Sequence, residues 1–474
     1  MANSADLVSN GVRRLAAFIA ALLACVSGTG AAQAQSIIRD AEIEALIRDY
    51  SDPIFSAAGL PPSNVGIHLI ADPSINAFVA NGLNMYVFTG LLAQADTPNQ
   101  VIGVIAHETG HMSGGHLARS DEAIAAATRP ILLTMGLGLA AVLAGAPEAG
   151  IGIIAGGQTA AERTFLKYSR SQEASADQAA ITFLDATQQS GVGLYEFFDK
   201  LRDDLAFSGR RINPYTVTHP LPGQRIESLK RRIQSSPYRE AKDTPEEQHR
   251  FDMARAKIQG FLTSPYSTFR AYPHDDQSQP ARYARTIAYY LTPDIDRALE
   301  GVNDLIAEEP ENPFFHELKG QMLFEHGRVA DAIAPHAKSV ELKPSVALLH
   351  VNVARAYLAT ESVANAEKSL QHLKLATQSE PKNSFAWFEM ANAYGFLDNE
   401  PMANLATAER YFAIGARREA FTFARRAKAG LTPNTPEWRS AIDSMSLTTP
   451  SERELRQQQR RRRGSAPSFS VSTG

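Results

Sequence analysis

The sequence predicts a mainly α protein in two parts: an α+β domain with a small sheet, then an all-α solenoid of paired helices. Three observations carry that prediction. Short extended stretches around an Asn-Gly turn lie between Val65 and Thr89 and lead directly into a well-capped helix. From Pro245 onward the chain turns into Ala-rich amphipathic helices. In that second part small residues and prolines recur at one interval: Ala298, Ala332 and Ala366 are 34 residues apart, and Pro310, Pro344 and Pro381 follow at spacings of 34 and 37.

Composition agrees with a globular chain of several domains. Of 474 residues, 44% are hydrophobic and 21% charged, which excludes a disordered or fibrous protein. The 47 basic and 51 acidic side chains leave a formal charge of -4, too balanced for a surface built to hold nucleic acid. The single cysteine, Cys25, excludes an intrachain disulfide framework and a four-cysteine zinc site.

In chain order, Arg13 and Arg14 precede an apolar run from Leu15 to Val26 and then Ala32-Gln33-Ala34. These are the charged, apolar and small-residue parts of a secretory signal peptide, residues 1–34, with cleavage expected after Ala34 and export of the rest. An N-terminal membrane anchor is the alternative, but the run is shorter than the roughly 20 residues a spanning helix needs. Leu22-Leu23-Ala24-Cys25 also loosely matches a lipidation signal at Cys25.

Ile37 to Phe55 reads as an amphipathic helix, with Pro53 in its last turn. Val65 to Ala71, Ile75 to Ala80 and Met85 to Thr89 read as extended, with a turn at Asn81-Gly82. Thr97-Pro98-Asn99-Gln100 then announces a helix carrying Val101 to His111. A Gly- and Ala-rich apolar region spans Pro130 to Gly157. It reads as a buried helical hairpin or as a surface that dips into a membrane or grips an unfolded client.

The 34-residue interval is the signature of tetratricopeptide repeats, each a helix–turn–helix whose small residues let helices nest. Trp387, Ala391 and Tyr394 give the large–small–large spacing of such a repeat's first helix, and Gly415 with Ala420 echoes Gly327 with Ala332. At least four units are expected, one truncated near Asn399. The domains expected are 35–244, 245–446 for the repeats, and a disordered tail 447–474. The tail carries Arg460 to Arg463, and a contact of that run with anionic lipid is the alternative to plain solvation.

The chemistry concentrates in His107-Glu108-Thr109-Gly110-His111. On a helix, residues four apart differ by about 40° around the axis and about 6 Å along it, so both imidazoles can bind one cation. Glu108 lies close enough to take a proton from water at that cation and pass it to a leaving amine. Imidazole and carboxylate ligands with one open position suit Zn2+, one per chain. Gly110 weakens the helix by about 1 kcal/mol relative to Ala, so metal and tight packing are expected to hold the turn. For a third ligand, His116 would point away from the metal if the helix continued, and reads as a packing or polar-contact residue. Glu173 in Tyr168-Ser169-Arg170-Ser171-Gln172-Glu173-Ala174-Ser175-Ala176-Asp177 is the better candidate. Asp177, one turn on, would accept the spare N–H of a ligating histidine. Taken alone, this stretch reads equally as an exposed acidic face.

These two motifs, about sixty residues apart, resemble those of the gluzincin peptidases related to the CAAX prenyl protease and the heat-shock membrane protease HtpX. Joined to a signal peptide and C-terminal tetratricopeptide repeats, they look like the soluble periplasmic branch of that family. The resemblance implies a zincin-like metallopeptidase domain with His107, His111 and Glu173 on zinc, Glu108 as base and Asp177 as supporting proton donor. Thr218-His219-Pro220-Leu221-Pro222-Gly223-Gln224-Arg225 is similar to the family's His-Pro segment followed by an arginine. There His219 would donate to a tetrahedral oxyanion or fill the open metal position at rest, with Arg225 a regulatory or transition-state group. Asn76-Ala77-Phe78 resembles the family's edge strand, where substrate adds as a further strand.

The expected function is therefore an exported zinc endopeptidase, and the resemblance implies that it acts on misfolded or stalled outer-membrane proteins. Its repeats would dock those clients or the outer-membrane assembly machinery, and no nucleic acid is involved. Two alternatives stand beside it: a repeat-based chaperone or scaffold with an occluded metal site, and a membrane-embedded HtpX-like protease. The cysteine pair that some periplasmic relatives carry is absent, so the repeats are expected to dock by packing alone.

Overall fold

The structure, a computed structural model, describes residues 37–116, 133–135, 137, 153, 169–208 and 214–448. The expected signal peptide with Cys25, nearly all of Pro130 to Gly157, and the Arg-rich tail from residue 449 onward lie outside the described residues, while Leu447 and Thr448, expected in that disordered tail, instead close the helix Pro436–Thr448.

Four short strands form one sheet: β1 (Ile37–Ile38), β2 (Gly66–Ile70), β3 (Ala77–Ala80) and β4 (Asn84–Phe88), in the order β1-β2-β4-β3. β2 and β4 run parallel. β3 returns antiparallel to β4 across a turn in which Asn81 and Gly82 have φ of 51° and 87°, the left-handed pair a tight hairpin demands. The first helix differs from expectation. Ile37 and Ile38 pair with Ile70 and Leu69 as β1, and the helix begins only at Ala41, where the Asp40 side chain accepts from the Ile43 N–H. An N-cap carboxylate satisfies an otherwise unpaired amide and fixes the start, freeing two β-branched residues for the sheet edge. The helix then runs through Pro53 to Ala57.

The helix Pro98–Ser113 lies at the centre of the first core. It packs against the helix Ala41–Ala57, strand β3 and the helix Val192–Ser208. Ile47, Ile54, Phe55, Val87, Leu91, Val104, Ile105, Leu194 and Phe197 are fully enclosed there. Each such side chain contributes about 1.5–3 kcal/mol of burial, which anchors the helix that carries the HETGH motif.

The helix Pro245–Leu262 belongs to two cores at once. Phe251, Ala254 and Ile258 face the sheet domain, while Met253 and Ala256 join Tyr283, Ile287, Val302 and Phe315 of the helices that follow. At this junction Lys257 is buried among carboxylates, its Nζ 2.8 Å from Asp40, 3.2 Å from Glu42 and 3.7 Å from Glu317. Tyr283 donates to Glu42 at 2.8 Å and Asn352 to Glu317 at 3.0 Å, so residues from both parts of the chain share one polar network.

Beyond it, antiparallel helices stack as a helical repeat region. Gly327, Glu361, Asp398 and Gly415 all adopt positive φ, and each lies five residues before an alanine of the next helix: Ala332, Ala366, Ala403 and Ala420. A second device recurs with the prolines. Six residues after Pro310, Pro344 and Pro381, a ring nitrogen of His316, His350 or Trp387 reaches back to that proline's carbonyl at 2.8–2.9 Å. The truncation expected near Asn399 takes a specific form. Asn399 caps a full helix, Glu400–Ala413, which packs on Ser384–Phe396 before it and on Arg417–Gly430 after it. The left-handed positions Asp398 and Gly415 are therefore only 17 residues apart, half a period.

Candidate metal centre

Three segments build the site. The helix Pro98–Ser113 starts at Thr97, whose hydroxyl faces the Gln100 amide, and Val101 to His111 are buried without interruption. The second segment, the helix through residues 169–186, lies directly against it. A methyl group on Gly110 would come within 2.8 Å of the Ala176 carbonyl oxygen and 3.0 Å of its Cα, so only glycine allows this approach. The third is the turn at His219 with the helix Gly223–Gln234 that carries Arg225.

The side chains converge on one point. His107 and His111 bring their Nε2 atoms to 3.1 Å of each other. Glu173 reaches them with Oε2 at 3.4 Å from His107 Nε2 and Oε1 at 3.3 Å from His111 Nε2. His219 Nδ1 lies 3.1 Å from Glu173 Oε1 and 3.4 Å from His107 Nε2. One donor atom from each of these four residues fits within 4.8 Å of the others, and all four are buried. Imidazole nitrogens packed this closely around a carboxylate cannot all keep protons, so their lone pairs face a common centre. This donor set fits a borderline N- and O-liganded cation. Glu108 stands beside it, its buried Oε1 without a hydrogen-bond partner and 3.5 Å from His219 Nε2.

A second layer orients the first. Asp177 Oδ1 is 2.9 Å from His107 Nδ1. Arg225 donates from Nε and Nη2 to both Asp177 oxygens at 2.6 and 2.8 Å, approaches Glu173 Oε2 at 2.7 Å, and donates to the Pro220 carbonyl at 3.0 Å. Its guanidinium also lies over the Phe198 ring at 4.9 Å. His219 stacks on Tyr215, ring centroids 4.5 Å apart.

Electrostatics follow from this enclosure. Burial alone would raise Glu173, yet hydrogen bonds from His107, His111 and His219 hold its carboxyl far below the usual range. Asp177 is likewise lowered against its burial, by Arg225 and His107. Burial opposes a charge on His107, but Asp177 and Glu173 overcome it and raise the imidazole to about 9. Burial lowers His111 and His219. It also pushes Glu108 up to about 7, against the pull of the neighbouring histidines.

The structure thus brings His107, Glu108, His111, Glu173, Asp177, His219 and Arg225 into one cluster. Asn76, Ala77 and Phe78 lie outside it, on and beside edge strand β3, which packs on the His107 helix. The Asn76 carbonyl accepts from Phe88 N, so by antiparallel alternation Ala77 and Val79 turn their amides and carbonyls to the open side of the sheet. His116 makes a polar contact, as expected of it, but not from a continuing helix. The helix ends at Ser113, and Gly115 at φ 62° reverses the chain, bringing the His116 ring back so that its Nδ1 lies 3.0 Å from His111 Nδ1. Sequence reasoning passed over Tyr215 and Phe198. The one signal for Tyr215 was its place four residues before His219, and Phe198 carried none.

A paired-histidine helix, a carboxylate from a second helix and a buried glutamate beside them define a metallopeptidase centre. Residues 38–233 match the model of peptidase family M48, and the chain is a metallopeptidase with its centre in that segment. It is 24% identical over 363 residues to the beta-barrel assembly-enhancing protease of Escherichia coli strain K12, covering 75% of this chain and 72% of that protein. It is 24% identical over 341 residues to the protein of that name from Yersinia pestis, covering 70% of this chain and 69% of that protein. Metalloprotease YcaL of Escherichia coli strain K12 is 32% identical over 178 residues, 37% of this chain and 63% of that protein.

Proposed function

We propose that the chain is an exported zinc endopeptidase of the periplasm that cleaves misfolded or stalled outer-membrane proteins, its C-terminal tetratricopeptide repeats docking clients or their assembly machinery. The observation that carries the catalytic part is the convergence of His107, His111 and Glu173 beside Glu108. The client class rests on the likeness to the beta-barrel assembly-enhancing proteases, and export on the signal-peptide pattern of residues 1–34. His107, His111 and Glu173 would hold a zinc ion, which when bound would supply Lewis acidity toward the scissile carbonyl and toward water. With the cation bound and the second proton of the imidazole displaced, Asp177, 2.9 Å from His107 Nδ1, would keep the remaining proton there and leave the Nε2 lone pair to the metal. Glu108, raised to about 7 by burial, accepts a proton at neutral pH and delivers it to the leaving amine. An extended substrate adds to β3 beside Asn76, Ala77 and Phe78 and is held by backbone hydrogen bonds while the scissile bond lies over the site.

His219 lies inside the ligand set, which supports a resting state in which its imidazole fills the open position and must leave before substrate enters. The same observation favours a second reading, a repeat-based chaperone or scaffold whose site stays occluded. Glu108→Gln separates the two. The peptidase reading expects retained zinc and no cleavage of an unfolded β-barrel substrate; the scaffold reading expects biological rescue to survive the substitution. Among the described residues no helix is long and apolar enough to cross a membrane. Release by carbonate extraction is expected, and retention would favour an embedded enzyme.

A further inference from the structure

We infer that His116 is a positioning residue for the metal centre: it accepts the Nδ1–H of His111 and so fixes the tautomer in which His111 presents Nε2. This deepens the reading of His107, His111 and Glu173 as ligands and rests on it.

The geometry leaves little choice of protons. His111 Nε2 faces His107 Nε2 at 3.1 Å and Glu173 Oε1 at 3.3 Å, so a ligand lone pair on that atom requires the proton on Nδ1. A neutral imidazole carries one N–H, and which nitrogen bears it is set by the bond the other side makes. On the far side of the ring His116 Nδ1 lies 3.0 Å away, with the two rings edge to face at a centroid distance of 5.0 Å. His116 must then be the Nε2–H tautomer, accepting through Nδ1. His107 has its own orienting partner in Asp177, at 2.9 Å from Nδ1. The centre thus orients one ligand through a carboxylate and the other through an imidazole.

The backbone is arranged to deliver this ring. His116 N donates to the His111 carbonyl at 3.1 Å, and Gln172, next to Glu173, donates from Nε2 to the His116 carbonyl at 3.2 Å. Its ring passes so close over Gly114 that a Cβ there would meet His116 Nε2 at 2.6 Å. The residue is therefore tied to both ligand-bearing helices. Second-layer partners of metal-bound histidines are worth about 10–100-fold in metal affinity.

The test compares His116→Phe, which keeps an aromatic ring without an acceptor, with His116→Gln, which restores a carbonyl oxygen. Zinc affinity is measured by competition with a chromophoric chelator, and the ligand field by the visible spectrum of the cobalt-substituted full chain. The expected result is a loss of about 10-fold or more for Phe with altered cobalt bands, and recovery to within about 3-fold for Gln. Equal affinity of Phe and wild type, or equal loss in Phe and Gln, overturns the assignment. Histidine 15N spectra of the zinc-loaded wild type give a second readout that needs no variant: His111 protonated on Nδ1 is expected, and a proton elsewhere on that ring overturns it. Failure of the underlying ligand reading is distinct, because wild type itself would then bind no zinc in the competition.

Discussion

Arg225 and Asp177 meet through two hydrogen bonds, Nε to Oδ2 at 2.6 Å and Nη2 to Oδ1 at 2.8 Å, and Asp177 stands 2.9 Å from His107 Nδ1. A planar guanidinium matches a carboxylate in this forked geometry and fixes its rotation, which in turn fixes the imidazole. Removing one partner of a buried pair leaves the other charge unpaired, so Arg225→Ala is expected to cost about 3–5 kcal/mol in denaturant unfolding. Arg225→Lys is expected to recover only part of that loss, since an ammonium cannot span Asp177 and Glu173 together. Full recovery with Lys would mean that charge alone matters here.

Gly110→Ala sets helix propensity against helix packing. Alanine favours an isolated helix by about 1 kcal/mol. In this fold its methyl would run into backbone atoms of Ala176, which cannot rotate away, and the helix bearing Glu173 must retreat. The variant is expected to lose about 10-fold or more in zinc affinity by chelator competition, since the third ligand moves with that helix. Tighter zinc binding in the variant would contradict the close-approach account.

The repeat turns offer a prediction of opposite sign. Glu361 and Asp398 occupy left-handed positions with φ of 52° and 54°, where Gly327 and Gly415 stand in the equivalent turns. A side chain in that region costs about 1–2 kcal/mol, partly offset by the entropy that glycine loses on folding. Glu361→Gly and Asp398→Gly are each expected to stabilise the chain by about 0.5–1 kcal/mol, read as a higher denaturant midpoint. A lower midpoint for both would contradict the strain argument.

The junction around Lys257 predicts a pH dependence. Burial pushes Glu317 up from 4.5 to about 7; the Lys257 charge pulls against that shift, and Asp40, Glu42 and Glu44 reinforce it. Because the folded value lies above the unfolded one, this carboxyl stabilises the fold fully below pH 4.5 and loses that contribution as pH rises through about 7. Hydrogen exchange in the helix Pro313–Glu325 is expected to quicken between pH 5 and 8 beyond the intrinsic rate, by on the order of 2 kcal/mol in protection. Glu317→Gln, which keeps a carbonyl for Asn352, is expected to flatten that dependence. An unchanged slope in the variant would remove Glu317 as its source.

Features with a local code were legible in the sequence. The Thr97-Pro98 start, the four-residue spacings of His107 with His111 and of Glu173 with Asp177, and the Asn81-Gly82 hairpin follow from geometry within one turn of chain. Residues whose position depends on partners elsewhere were not legible by that route. Lys257 looks like any surface lysine until helices from both parts of the chain enclose it. Arg225 entered through resemblance alone, because nothing within its own helix marks it as the partner of Asp177 and Glu173. His116 is legible as a polar-contact residue, but not its partner His111, because the helix ends at Gly114 and Gly115 where the spacing argument takes it to continue. Ile37 and Ile38 fit a helical pattern, and only the Asp40 cap and the partner strand β2 assign them to the sheet.

The central claim is that His107, His111 and Glu173 hold one zinc ion. It is tested most directly by metal analysis of the purified wild type and Glu173→Ala, with circular dichroism confirming that both are folded. The account predicts one zinc per chain in the wild type and little or none in the variant. A folded Glu173→Ala that keeps a full equivalent of zinc would contradict it.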